Sequence, residues 1–146
     1  MKVTLNRVND NFHFQVKNDR GYVVDLDKRA IQGGDDLGAS PMELLLMGVA
    51  GCSGIDIIGI LNKQRQTIET FIMEVDGARE KIGDASPFKQ IAVDLYITGE
   101  VNPAKALKAA DLSFEKYCSV SKTLEPTAQI TYKVYVNGEL AEVHSK

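Results

Sequence analysis

Cys52 and Cys118 are the residues of this chain best suited to chemistry without help from a cofactor, and they are its only cysteines. A thiolate attacks electrophilic oxygen or sulfur, and two thiols that meet can close a disulfide. A single cysteine reads first as a small buried hydrophobe. Two of them, on the apolar faces of different helices in a chain with no others, are either buried small hydrophobes or redox groups, and their pairing weakens the first reading. In a reducing cytoplasm such a pair is not a structural framework.

The charges next to each thiol differ. Asp56 follows Cys52 by four residues and can share its helix face, where a carboxylate disfavours the thiolate. Cys118 has Lys122 four residues on, offset by Glu115 three residues before it. On local charge alone Cys118 reads as the more acidic thiol. The two histidines, His13 and His144, have no metal-ligand spacing to a cysteine and read as solvated, so no metal is expected. Gly33-Gly34 lacks the lysine and hydroxyl of a phosphate loop and reads as a turn, so no cofactor is expected either. Arg29, Arg65 and Arg79 read as solvated, and Tyr117 as core.

These thiols need elements to hold them. The first 26 residues read as a β-meander: Phe12, Phe14 and Val16 alternate with polar neighbours, turn residues flank them, and Tyr22 to Leu26 makes a third strand. Ser40-Pro41-Met42-Glu43 is a capping box with proline at the first helical position, opening a helix to about Asn62. Leu44, Leu45, Gly48, Gly51, Cys52, Ile55, Ile58 and Gly59 follow its buried-stripe rhythm. Glycines at 48, 51 and 59 cost roughly 1 kcal/mol each against alanine. A helix that tolerates this lets another backbone come close. It reads as central and tightly packed.

Two strands follow, around Phe71 to Val75 and Ile91 to Ile97, with a turn near Gly83-Asp84. Asn102-Pro103 opens a second helix with Leu107, Ala110, Phe114, Tyr117 and Cys118 on its apolar face. It either runs through Cys118 or breaks there into a shorter one ending near Leu124. Ile130 to Val136 makes a strand, and Asn137-Gly138 is a type I′ hairpin signal into Leu140 and Val143.

At 146 residues and 44% hydrophobic, the chain reads as one domain, 1–146, with a core that needs no staples. A net charge of −3 without a basic tract argues against nucleic acid. The first residues lack a signal-peptide run, and the longest apolar stretch, Leu44 to Val49, is too short to span a bilayer. A cytoplasmic, membrane-free protein is expected.

The segments Ser40-Pro41-Met42-Glu43-Leu44-Leu45-Leu46, Ala50-Gly51-Cys52 and Glu115-Lys116-Tyr117-Cys118-Ser119-Val120 resemble the OsmC/Ohr family (osmotically inducible protein C and organic hydroperoxide resistance proteins). The order of elements agrees over nearly the whole chain. The resemblance implies an α+β fold with two central helices wrapped by antiparallel sheets, in an intertwined homodimer with active sites at the interface. It implies a thiol-dependent peroxidase for small apolar hydroperoxides, serving oxidative-stress defence and recharged by an external thiol reductant. By position Cys52 would attack the peroxide and Cys118 resolve the sulfenic acid as a disulfide. Peroxidases of the family carry a glutamate directly after the helix-opening proline, orienting an arginine that activates the thiolate. Here that position is Met42, and Glu43 lies about 100° further round the helix. Arg20, in the turn after the second strand, is the candidate arginine. Met42 favours the alternative: a non-catalytic or redox-sensing module binding an apolar small molecule at the dimer interface.

Overall fold

The capping box forms as its residues require. In the computed structural model, which describes residues 1–145 and side chains through residue 141, the Ser40 backbone N–H donates to Glu43 Oε2 at 2.7 Å and the Glu43 N–H to Ser40 Oγ at 3.3 Å. Two otherwise orphaned helical donors are satisfied reciprocally. Hydrogen bonds to the Glu43 carboxyl from Ser40, first from its backbone N–H and then from its side chain, hold that carboxyl below its usual range. The helix they open, α1, runs Pro41–Lys63.

The chain forms two compact units, residues 1–45 and 46–146. The first holds the expected meander: β1 (Val3–Arg7), β2 (Phe14–Asn18) and β3 (Val23–Leu26), antiparallel in that order. His13 differs from its expectation as a solvated side chain. Its Nε2 lies 2.8 Å from Asp25 Oδ1, and 13% of the side chain is exposed. That hydrogen bond is the main reason the Asp25 carboxyl titrates below its usual range. His144 falls among the side chains that are not described.

The second unit is built on β4 (Thr67–Arg79), β5 (Phe88–Glu100), β6 (Gln129–Val136) and β7 (Glu139–Ser145), in that order. The sheet is mixed and departs from the antiparallel expectation, because β5 and β6 pair in parallel. A parallel pair needs a crossover, and the helical segment between them supplies it. Period-two burial is clear: Ile91, Val93, Leu95 and Ile97 of β5 and Ile130, Tyr132, Val134 and Val136 of β6 are all buried. Gly77 on β4 is required by packing, since the Phe88 ring occupies the space a Cβ would need. Asn137 and Gly138 both have positive φ, 51° and 86°, as a type I′ turn demands. The Asn137 amide clamps Gly99 at both ends, accepting from its N–H at 3.0 Å and donating to its carbonyl at 3.1 Å.

The crossover settles the open question about the second helix. α2 (Pro103–Leu112) is capped by Asn102, whose side chain accepts from the Lys105 N–H. One π-type turn, Ser113–Tyr117, follows, and α3 spans Ser119–Leu124 with Cys118 at its N-cap. The π-type turn puts an extra residue into the backbone and breaks the helix at Cys118. Tyr117 is rotated outward there, 48% exposed, and is not the core residue its apolar neighbours suggested.

α1 also buries a different face from the one its rhythm suggested. Val49, Ser53, Gly54, Ile57 and Leu61 are buried, whereas Gly51 is exposed and Ile55 is 76% exposed. The helix is apolar on nearly every side, so periodicity could not choose between faces. At 23 residues it is long and apolar enough to cross a membrane, a property hidden when apolar runs are ended at the first interruption. Its polar groups are used within the unit. Ser53 Oγ donates to the Val49 carbonyl at 2.6 Å and to Met73 Sδ at 3.4 Å, and Asp56 accepts a hydrogen bond from Ser113.

Candidate active site

The break at Cys118 is what builds the site. Its backbone N–H donates to the Ser113 carbonyl at 2.8 Å across the π-type turn, which fixes the residue in extended conformation at the start of α3. The Cys118 side chain is completely buried. Its Sγ accepts two hydrogen bonds from Ser121, from Oγ at 3.0 Å and from the backbone N–H at 3.4 Å. A cysteine therefore does the N-cap work that serine or aspartate normally does.

Cys52 comes to the same place from α1, one turn before Asp56. Both cysteines are free thiols, with Cys52 half-buried and Cys118 buried. They meet. Burial pushes the Cys118 thiol up, the two Ser121 donors pull it back, and a side-chain hydrogen bond with Cys52 raises it again. On balance Cys118 is less acidic than an ordinary thiol, the reverse of the reading from local charge. The lysine in that reading is engaged elsewhere: Lys122 Nζ bonds Glu125 Oε2 at 2.9 Å.

Serines hold the two helical segments together beside the thiols. Ser113 Oγ lies 3.2 Å from Asp56 Oδ2 and 3.5 Å from the Ser53 carbonyl, so α1 is tied to the π-type turn one helical turn from Cys52. Ser113 and Ser121 went unnoticed in the sequence. The available signal for Ser121 was its position three residues after a possible cap, where the N3 residue of a helix returns a hydrogen bond.

Further along the same face, Ile55, Asp56, Gly59, Ile60, Lys63, Gln64, Leu112 and Tyr117 line an open groove of about 680 Å³. A Cβ added at Gly51 or Gly59 would meet nothing. Neither glycine answers to packing within the chain.

Arg20 lies in the β2–β3 turn of the first unit. Its guanidinium is stacked 5.4 Å from the Tyr22 ring centroid, and its backbone N–H donates to Asn18 Oδ1. Met42, on the first turn of α1, is half-buried, and Glu43 is committed to the cap.

The fold recurs among proteins of known sequence and structure. Protein YhfA of Escherichia coli K12 is 37% identical over 102 residues, covering 69% of this chain and 75% of YhfA. A crystal structure of a protein from Aquifex aeolicus VF5 is 28% identical with a TM-score of 0.76, over 93% of this chain and 96% of that one. An organic hydroperoxide resistance protein OsmC from Legionella pneumophila has the same fold, with a TM-score of 0.71 at 21% identity over 93% and 98% of the two chains. The model of the OsmC-like protein family matches residues 33–133, a span that includes both cysteines and the helices carrying them, and the chain belongs to that family.

Proposed function

We propose that the chain is a thiol peroxidase for organic hydroperoxides, with Cys52 as the attacking thiol and Cys118 as the resolving one. The observation that carries this is the proximity of a half-buried thiol on α1 and a fully buried thiol at the N-cap of α3, close enough for Cys52 to act on the Cys118 thiol. The Cys52 thiolate attacks the distal oxygen of ROOH: the S–O bond forms, the O–O bond breaks, and ROH leaves after taking a proton. Cys118 sulfur then displaces hydroxide from the sulfenic acid, giving the disulfide and water. An external thiol supplies two electrons to restore the pair. Names of fold relatives support the substrate class, since proteins from Legionella pneumophila and Elizabethkingia anophelis are described as organic hydroperoxide resistance proteins.

The working form in this reading is a homodimer in the cytoplasm. Ile55 at 76% and Tyr117 at 48% exposed, beside Gly51 and Gly59, where an added Cβ would meet no described residue, make an apolar face that a second copy would cover. Such a covered groove excludes water and takes an alkyl or aryl group. Cumene hydroperoxide should therefore be reduced with a kcat/KM at least about tenfold above that for hydrogen peroxide, since burying a ring stabilises its complex by more than 1.4 kcal/mol. Steady-state consumption with excess dithiol measures the ratio, and equal constants would remove the apolar pocket from the mechanism.

A second reading rests on Met42. With no carboxylate there to orient an arginine, the pair could serve as a redox sensor beside an apolar ligand site. Thiols that stay reduced under organic hydroperoxide but oxidise with a disulfide reagent would favour it.

A further inference from the structure

The two sulfurs have unequal surroundings, and that inequality bears on how the oxidised pair is reduced. Thiol–disulfide exchange has an orientation: the incoming thiolate bonds to one sulfur and the other departs with the electron pair. Access and leaving-group stability decide which. Cys118 is completely buried, and its Sγ is held by the hydroxyl and backbone N–H of Ser121, at 3.0 and 3.4 Å. Cys52 is half-buried and so the more accessible of the two sulfurs.

We infer that an external thiol reductant attacks Cys52, the accessible sulfur, and that Cys118 departs as the thiolate, with Ser121 offsetting part of what burial costs that charge by hydrogen-bonding the Cys118 sulfur. In the first step RS⁻ forms an RS–S bond to Cys52, the Cys52–Cys118 bond breaks, and its electron pair goes to Cys118 Sγ. That thiolate then takes a proton from solvent. In the second step another thiolate attacks the reductant's sulfur, releasing the oxidised reductant and Cys52 thiolate. The pair gains two electrons, and the reductant is oxidised to its disulfide. This rests on the Cys52–Cys118 pairing used above, but not on a hydroperoxide being the oxidant.

The test forms the disulfide with diamide, then adds glutathione, quenches with acid at short times and locates the mixed disulfide by peptide mass mapping. The adduct should fall on Cys52 over Cys118 by at least about tenfold. Ser121→Ala should slow the first step by about tenfold and reduce that preference, and Ser121→Thr, which keeps the hydroxyl, should restore both. Adducts mainly on Cys118 in the unmodified protein would overturn the inference without any variant. Failure of diamide to close the disulfide, or an unchanged rate and preference in Ser121→Ala, would overturn it as well. A disulfide that forms with diamide and is opened at Cys52, but never forms with hydroperoxide, would sink the peroxidase reading and leave this one standing.

Discussion

Cys52→Ser should lower hydroperoxide reduction by at least about a thousandfold, because a hydroxyl at neutral pH cannot replace a thiolate as nucleophile. Cys118→Ser should behave differently. Cys52 keeps its place on α1, so the first attack on peroxide still occurs, and the sulfenic acid that forms has no partner sulfur. One equivalent of peroxide should be consumed rapidly per chain, followed by stalled turnover, with Cys52 labelled by dimedone. Stopped-flow consumption and mass mapping separate the two variants. Equal loss of the first turnover in both would mean that the thiols do not have distinct roles. The serine also leaves the α3 cap in place, since a hydroxyl caps at least as well as a thiol, so the fold should survive the change.

Ile55→Asp should weaken self-association by at least about a hundredfold. A carboxylate placed where an apolar face is to be covered must lose its hydration without gaining a partner, a cost of several kcal/mol. On a freely solvated surface the same change falls within about 0.5 kcal/mol of neutral. Ile55 is 76% exposed in the single chain, so the two situations give opposite results. Sedimentation equilibrium at low micromolar concentration should show a dimer for the unmodified protein and monomer, or unfolded chain, for the variant. A folded unmodified monomer would remove the covered-groove account of substrate preference.

Much of this architecture was legible where local rules act alone. The Ser40–Glu43 capping box, the Asn102-Pro103 helix start and the Asn137-Gly138 turn are short-range devices, and each formed with the predicted hydrogen bonds or dihedral angles. Alternation along β5 and β6 named their buried residues because those strands have a clear inner face. Tertiary choices were less visible. α1 is too uniformly apolar for a 3.6-residue rhythm to say which side is covered, and the residues of the expected stripe are half-buried or exposed, not buried. The parallel pairing of β5 with β6 depends on where the crossover returns the chain, which neither strand's pattern records.

The candidate site divides in the same way. Both cysteines stood out by type and number, and the structure brings them together. The acidity inferred for Cys118 from Lys122 came out reversed, because burial acts more strongly on the thiol than a lysine already bonded to Glu125. Ser121 and Ser113 act through the break at the π-type turn, which no short-range sequence signal marks. Ser121 became meaningful only once Cys118 was seen at an N-cap.

The most direct measurement is the stoichiometry of oxidation by an organic hydroperoxide. One equivalent of cumene hydroperoxide should take the free thiols from two per chain to none, since Cys52 and Cys118 are the only cysteines. Intact mass should fall by about 2 Da, as a disulfide requires, and no covalent dimer should appear on a non-reducing gel. Thiols that remain titratable, or masses that rise by one or more oxygens on separate cysteines, would contradict a paired redox site.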